Sequence, residues 1–208
     1  LDSGNNLSYP TTGSTWFDLE GVSNDATLYN TPTYLSNFGG ILNFSKTSLE
    51  YGTIPNIGTI NNWTLEVWVR FSSDVTNQVS MVAGNQYNGS NAINFTIGTN
   101  GAPVSWNIQA GFFDGSWHNT TGFFPLLNTW YQIVGTYDGS TVIQYVNGAQ
   151  NSTLTYSGTP SSGGITRIAR RWDDVVTSTN LFPGDISAIR IYNRALSFDE
   201  ITTNYNSL

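Results

Sequence analysis

One stretch of the chain concentrates side chains that could recognise a sugar. Between Phe112 and Phe124 the sequence reads FFDGSWHNTTGFF, which combines aromatic rings with polar groups around a turn. Sugars present apolar C–H faces that stack on aromatic rings, and hydroxyl groups that hydrogen-bond to polar side chains. The candidate contact residues are Phe113, Asp114, Trp117, His118 and Asn119. The stretch is predicted to be a long loop; the alternative is that its phenylalanines form a small core beneath it.

Two further loops offer similar groups. Trp172 stands beside Arg170 and Asp173, and Tyr87 precedes a polar, turn-rich segment. Surface aromatics of this kind could contact a glycan or a neighbouring protein subunit, and the sequence leaves that choice open. Trp68 and Trp130 are instead predicted to be core residues.

Residues for catalysis are scarce. Glycoside hydrolysis needs two carboxylates about 5–10 Å apart, and the best-patterned strand, Thr64–Phe71, carries only Glu66. Glu66 is predicted to face solvent or to pair with Arg70 on the same strand face. The sequence contains no Gly-x-Ser-x-Gly motif, so the single histidine, His118, has no motif serine for which it could act as general base. The sequence therefore predicts that the protein is not an enzyme.

Composition and charge narrow the class of partner. The chain has 208 residues, a net charge of -7 and no cysteine, and 10% of its residues are charged. A nucleic-acid partner is disfavoured because no basic stripe is present to neutralise phosphates. No apolar run is long enough for membrane insertion. Aromatic residues make up 14% of the chain, which predicts a filled core and, where they are exposed, contacts within an oligomer or assembly.

Short runs of alternating polarity predict one all-β domain over residues 1–208. Trp130–Tyr137, the turn at Asp138–Ser140, the run Thr141–Val146 and the turn at Asn147–Gly148 predict a three-stranded antiparallel meander. Further strands are predicted at Ala26–Tyr29, Ile41–Phe44, Ser48–Tyr51, Thr64–Phe71, Val79–Ala83, Ile93–Ile97, Val104–Ala110, Ile165–Ile168 and Asp185–Tyr192. A capping box, with Ser197 at the N-cap and Glu200 three residues later, predicts one short C-terminal helix. Because the chain begins at Leu1, it is expected to be a piece of a longer polypeptide.

The order of these motifs resembles a known family. WFDL at 16–19, GGILNF at 39–44 and NWTLEVWV at 62–69 precede the meander, and FPGDI at 182–186 and IYNRALS at 191–197 follow it. The series is similar to laminin G-like domains of the concanavalin A-like lectin/glucanase superfamily, in the form found in phage and bacterial surface proteins. The resemblance implies a jelly-roll sandwich of two curved antiparallel sheets.

The resemblance also implies a metal site. Laminin G-like relatives often hold one structural calcium ion near the chain ends, and the motif maps its ligands to Asp18, Asn24 and Asp185. The loop Glu20–Asn24 departs from the Ser-Gly-Asn-Gly-Asn that many relatives carry. The alternative is that Asp18 and Asp185 accept hydrogen bonds from local backbone N–H groups.

Two functions follow as hypotheses. The first is a non-catalytic carbohydrate-binding adhesion module, displayed extracellularly on a virion or cell surface. The alternative is a decoration or fibre protein of a phage particle, held by contacts with neighbouring structural proteins. A glycoside hydrolase is a distant third, because the second carboxylate is missing from the strand.

Overall fold

The architecture is built from β-strands, with one α-helix near the end of the chain. The computed structural model describes residues 1–21, 24–73, 75, 80–87, 92–101, 106–171, 176–177 and 180–207. The strands are β1 (Thr15–Trp16), β2 (Ala26–Tyr29), β3 (Thr33–Leu35), β4 (Ile41–Phe44), β5 (Tyr51–Ile54), β6 (Trp63–Phe71), β7 (Met81–Tyr87), β8 (Ala92–Gly101), β9 (Trp106–Phe113), β10 (Trp117–Asn119), β11 (Trp130–Tyr137), β12 (Thr141–Val146), β13 (Ala149–Thr155), β14 (Ile165–Ile168) and β15 (Gly184–Tyr192). The helix α1 spans Phe198–Asn206.

The strands form two antiparallel sheets that pack face to face. An eight-stranded sheet has the order β1-β2-β5-β14-β7-β8-β9-β10, and a seven-stranded sheet has the order β13-β12-β11-β6-β15-β4-β3. The predicted meander is present as β11, β12 and β13, which pair in sequence. The predicted all-β sandwich with a short C-terminal helix is confirmed.

The core lies between the sheets and is built from one face of each strand. In β6, Leu65, Val67 and Val69 are fully buried and pack in one cluster with Phe95 and Ile97 of β8. Burying each such side chain stabilises the fold by about 1.5–3 kcal/mol. The alternation along β6 thus places these three side chains on the strand face that packs between the sheets.

The two sheets lie close together at Gly135 of β11 and Ala110 of β9. A Cβ atom added to Gly135 would lie 2.6 Å from Ala110 Cβ, on the opposite sheet, and 3.2 Å from the Trp63 ring. Because a side chain there would collide, glycine at 135 permits both this approach and the packing of the Trp63 indole.

Helix α1 covers part of the outer face of the seven-stranded sheet. The capping box is confirmed, since the Ser197 side chain accepts from the Glu200 N–H and the Glu200 carboxylate accepts from the Ser197 N–H. Ile201 packs with Leu196 against Val134 and Tyr145. Among the described residues, no helix combines the length and apolarity needed to cross a membrane.

Trp68 and Trp130 lie on this outer face, so their prediction as core residues is wrong. Both are half-buried, because they alternate with residues that point between the sheets. The Trp68 ring stacks on Tyr205 of α1 with 5.7 Å between centroids. Trp130 packs instead beside Phe38, at 5.8 Å.

Glu66 is also placed differently from the prediction. Its exposure is 1%, and its Oε1 accepts from Arg190 Nη1 at 2.7 Å and from Gln132 Nε2 at 3.0 Å. Its Oε2 accepts from Asn204 Nδ2 of α1 at 2.8 Å. Glu66 therefore neither faces solvent nor pairs with Arg70. The reason is that α1 returns over this face, which alternation within β6 cannot reveal.

Two predicted boundaries are also corrected. The strand predicted at Ser48–Tyr51 begins only at Tyr51, because Ser45 and Glu50 close a turn in which the Ser45 N–H donates to the Glu50 carboxylate at 2.7 Å. The predicted loop at Phe112–Phe124 is instead largely the end of β9, a short turn and β10. The predicted strand starts at Val79 and Val104 lie outside the described residues.

Candidate functional site

The hairpin of β9 and β10 carries the predicted aromatic contacts at one edge of the eight-stranded sheet. Ala110 and Phe112 are buried in the core, so the alternating positions Gly111 and Phe113 face outward. The chain then reverses through a turn in which Gly115 has φ 126°, a conformation that favours glycine. Trp117 pairs with Phe113 and Asn119 with Gly111. Trp117 and Asn119 therefore share the outer face.

Phe113, Trp117 and Asn119 form a surface that we call the outer platform. The Phe113 and Trp117 rings meet edge to face, with centroids 5.5 Å apart and planes at 73°. Trp117 keeps 38% of its surface exposed. The Asn119 Oδ1 atom is covered by protein and has no hydrogen-bond partner. The platform thus presents an accessible apolar ring beside a carboxamide whose oxygen is covered by protein.

The turn beneath the platform is held by a polar cluster of Asp114, His118 and Tyr156. His118 Nε2 lies 2.8 Å from Asp114 Oδ1 and 3.1 Å from Ser116 Oγ. The Tyr156 hydroxyl donates to Asp114 Oδ2 at 2.9 Å. The Tyr156 ring also stacks on the imidazole, with 3.4 Å between centroids. Both carboxylate oxygens of Asp114 are therefore engaged within the protein.

This cluster does not have the geometry of a nucleophilic relay. Such a relay places the nucleophile and the carboxylate on opposite nitrogens of the histidine ring. Here Ser116 and Asp114 both contact the same nitrogen, Nε2 of His118. The cluster can fix the shape of the turn, and its geometry does not support proton transfer from Ser116.

The pKa of Asp114 reflects its hydrogen bonds with Tyr156 and His118. Burial alone would raise the pKa of Asp114, but hydrogen bonds from Tyr156 and His118 outweigh burial and hold the pKa below its usual range. The folded state thus binds the proton of Asp114 less readily than the unfolded chain does. Its contribution to stability is complete above the unfolded pKa of about 4 and is lost as pH falls through the lower, folded pKa.

Tyr156→Phe should raise the pKa of Asp114, because the substitution removes one donor to its carboxylate. The measurement is a ¹³C NMR titration of side-chain carboxyl groups. Asp138 is the internal control: burial opposes the shift, yet hydrogen bonds from Ser140 and Thr141 lower its pKa within its own turn. An Asp114 titration unmoved by Tyr156→Phe would contradict the proposed role of Tyr156.

The second predicted contact group does not join the outer platform. Arg170 is 6% exposed, and its guanidinium lies 4.8 Å from the centre of the Tyr51 ring on β5. Since β14, β7 and β8 separate β5 from β9, Arg170 lies away from Trp117. Trp172 and Asp173 lie outside the described residues, and Tyr87 is described only as the last residue of β7.

The predicted calcium ligands are not brought together as one set. Asp18 and Asn24 line a cavity of about 650 Å³ that Asp2 and Glu20 also border. Asp185 lies elsewhere, 1% exposed. In the part of the chain that is described, no group of three or more His, Cys, Asp or Glu side chains is arranged to hold a metal ion.

Hydrogen bonds explain these placements. Asp185 Oδ1 accepts from Asn43 Nδ2 and Oδ2 accepts from Arg70 Nε, both at 2.7 Å. Asp185 therefore does not fit the predicted calcium site, because it neutralises Arg70 on the neighbouring strand. Asp18 Oδ1 accepts from the Glu20 N–H at 3.1 Å, in line with the alternative interpretation. A calcium ion at Asp18 and Asn24 stays a prediction.

The fold and the sequence together decide the family. A family model described as the concanavalin A-like lectin/glucanases superfamily matches residues 46–202. The chain belongs to this superfamily. The resemblance found in the motif order is therefore confirmed for this lectin-like domain, although no curated protein matches its sequence.

Solved structures share the lectin-like fold at low sequence identity. Domain 4 of AbnA, an extracellular arabinanase from Geobacillus stearothermophilus in complex with arabinotriose, has a TM-score of 0.66 and 17% identity, covering 89% of this chain and 90% of that one. The botulinum neurotoxin type G receptor binding domain has a TM-score of 0.69 and 14% identity, covering 95% and 49%. The Trypanosoma rangeli sialidase in complex with sialic acid has a TM-score of 0.66 and 17% identity, covering 96% and 32%. At these identities the likeness shows the fold alone.

Sequence reasoning missed one member of this site. Tyr156 follows β13 and lies 42 residues from Asp114 in the chain. No local motif connects the two, because their contact arises where the edges of the two sheets meet. The only signal in the sequence was the aromatic nature of Tyr156 just after a strand.

Proposed function

We propose that this lectin-like domain is a non-catalytic carbohydrate-binding module. The observation that carries the proposal is the outer platform, where Trp117 stays 38% exposed on a hairpin fixed from below by Asp114. A sugar ring can stack its C–H face on the indole. A protein domain of the same fold has been solved in complex with arabinotriose.

The environment of the carboxylates supports binding without hydrolysis. A glycosidase needs two carboxyl groups that face the sugar, one to donate a proton and one to attack or to activate water. Glu66 is 1% exposed and is held by Arg190, Gln132 and Asn204. Asp114 is held by Tyr156 and His118. Neither carboxylate is presented to a ligand on the outer platform.

Display on a virion or cell surface is part of the proposal. A module that recognises polysaccharide meets its ligand outside the cytoplasm, where glycan coats are presented. The chain's low content of charged residues, 10%, with a net charge of -7, suits a surface that contacts uncharged sugars and disfavours polyanions.

Trp117→Ala should lower glycan affinity about tenfold, because it removes the stacking surface. The experiment is a glycan array with the wild-type domain, followed by isothermal titration calorimetry of the best ligand with both proteins. Since Trp117 is partly exposed, the variant is expected to keep its melting temperature close to that of the wild type.

Phe124→Ala is the matched control, because Phe124 is an exposed aromatic, at 61%, outside the platform. It should leave glycan affinity unchanged. The proposal is refuted if no glycan binds, or if Trp117→Ala and Phe124→Ala bind equally well.

A second candidate function is a structural protein of a particle, held by protein contacts. The observation that favours it is a loop with exposed apolar side chains, in which Phe124, Leu126 and Leu127 are 61%, 69% and 42% exposed. Apolar surface of this kind marks interaction sites on soluble proteins. This function would be supported over the first if the domain bound no glycan on the array and associated with itself in a concentration-dependent way in sedimentation velocity experiments.

A further inference from the structure

The cavity of about 650 Å³ that Asp18 borders also runs along the end of β15. Isoleucines contributed by both sheets and by the loop after β5 line it: Ile54, Ile57, Ile60, Ile189 and Ile191. It is open to solvent on one side, where Leu19 is 46% exposed. Since β14, β7 and β8 separate β5 from β9, this cavity is separate from the outer platform. Its size and apolar walls are those of a ligand-binding site.

One edge of β15 is unpaired beside this cavity. On that side β15 pairs first with β4 at Gly184–Ile186 and then with the start of the chain. The Leu1 amine donates to the Ile189 carbonyl at 2.9 Å, and the Ile189 N–H donates to the Leu1 carbonyl at 3.0 Å. The direction of hydrogen bonding alternates along a strand, so the N–H and C=O of Ile191 point to the same side. Within the described part of the chain, no strand pairs with Ile191 there.

The rim of the cavity is acidic. Three carboxylates line it: Asp2, Asp18 and Glu20. Arg190 also borders the cavity, but its guanidinium pairs with the Glu66 carboxylate at 2.7 Å. Burial lowers the pKa of the Leu1 amino group, and the three carboxylates act in the opposite direction. The rim therefore favours a ligand that carries positive charge next to its apolar groups.

We infer that this cavity binds an extended segment of a partner protein, which adds to β15 as a short strand and alternates apolar with basic residues. In strand addition, main-chain hydrogen bonds supply affinity and the alternate side chains supply specificity. The partner residue opposite Ile191 shares its sheet face, which packs toward the core, and should be apolar. Its neighbours should be basic, because they lie near the acidic rim. This interaction is independent of glycan binding at the outer platform.

The test is isothermal titration calorimetry with a blocked peptide of sequence Lys-Val-Lys-Val-Lys, in buffer with EDTA so that no calcium ion competes for Asp18. The peptide should bind, and its affinity should fall as salt concentration rises. Replacing every Lys by Glu should weaken binding at least about tenfold through repulsion by the rim. Methylating both valine nitrogens should do the same, because the peptide can then no longer donate to the Ile191 carbonyl. Absence of binding, or equal binding of the three peptides, would overturn the inference.

Amide hydrogen exchange, followed by NMR, locates the bound peptide. Exchange of the Ile191 N–H should slow at least about tenfold when the Lys-Val peptide is saturating, because the peptide then accepts its hydrogen bond. The Arg190 N–H is the internal control, since it is directed to the other side, where Arg190 pairs with Glu66 of β6. An Ile191 exchange rate that stays unchanged at saturation would refute strand addition at β15.

Glu20→Gln and Thr153→Lys separate the charge of the rim from the net charge of the domain. Both substitutions raise the net charge by the same amount, and both positions are exposed, so neither should lower the melting temperature. Thr153 lies on β13, which β12, β11 and β6 separate from β15. Glu20→Gln should weaken binding of the Lys-Val peptide about threefold, whereas Thr153→Lys should leave it unchanged. Equal affinities of the two variants would rule out the charge match on which the choice of a basic partner rests.

Discussion

Glu66→Ala should lower the free energy of unfolding by about 4 kcal/mol, because it removes one buried carboxylate from three donors at once. Gln132 is fully buried and would keep an unpaired amide, and Asn204 would lose its link from α1 to the sheet. Arg190 would lose its counter-charge, but its side chain is 27% exposed and water can solvate it in part. Urea unfolding followed by circular dichroism measures the effect.

Glu200→Ala is the matched control, since Glu200 is also paired with an arginine. That pair, with Arg194 at 2.6 Å, is exposed on both sides, at 41% and 55%. Its removal should cost less, because water replaces the exposed ion pair and only the capping-box contact with Ser197 is lost. A Glu66→Ala variant no less stable than Glu200→Ala would show that the buried network does not anchor α1.

Asp185→Ala should lower the free energy of unfolding by about 3 kcal/mol, whether or not calcium is present. The substitution leaves the Arg70 guanidinium, 22% exposed, without its buried partner. It also leaves the Asn43 amide without its acceptor. The measurement is denaturant unfolding in buffers with added calcium and with EDTA.

The variant Asp18→Asn tests whether calcium binds at Asp18 and Asn24. If an ion binds at Asp18 and Asn24, EDTA lowers the melting temperature of the wild type and of Asp185→Ala, but not that of Asp18→Asn. If EDTA changes none of the three, calcium is not a structural component of this domain. A destabilisation of Asp185→Ala that appears only in the presence of calcium would contradict the ion-pair role assigned to Asp185.

The sequence predicted those parts of the fold whose signal is local. Alternation along β6 puts Leu65, Val67 and Val69 on one strand face, which is the buried face, and the Ser197–Glu200 capping box located the start of α1. Both patterns depend on contacts between residues close together in the chain, or on a face that is buried throughout. The boundaries of β4, β11, β12 and β14 were predicted correctly for the same reason.

The parts that the sequence could not predict depend on distant segments. Glu66 looked exposed because the helix that covers it lies more than 130 residues later, as its contact with Asn204 shows. Asp185 was assigned to a calcium site by the family resemblance, and its contact with Arg70, 115 residues away, could not be predicted from local sequence. The candidate site was found in part, since Trp117 and His118 were named from composition, whereas Tyr156 enters only through the folded topology.

The contact between Asp114 and Tyr156 joins elements that belong to different layers of the sandwich. Asp114 lies at the tip of the β9–β10 hairpin, and Tyr156 follows β13 at the edge of the other sheet. The Ser161 N–H adds a second tie, to the Phe113 carbonyl at 3.0 Å. Ordering one side chain during association typically costs about 0.5–1.5 kcal/mol. Here the contacts of the folded protein order the hairpin before a ligand binds, so binding does not include that cost. Binding of a ligand to this hairpin should therefore follow a single kinetic phase, without a separate conformational step.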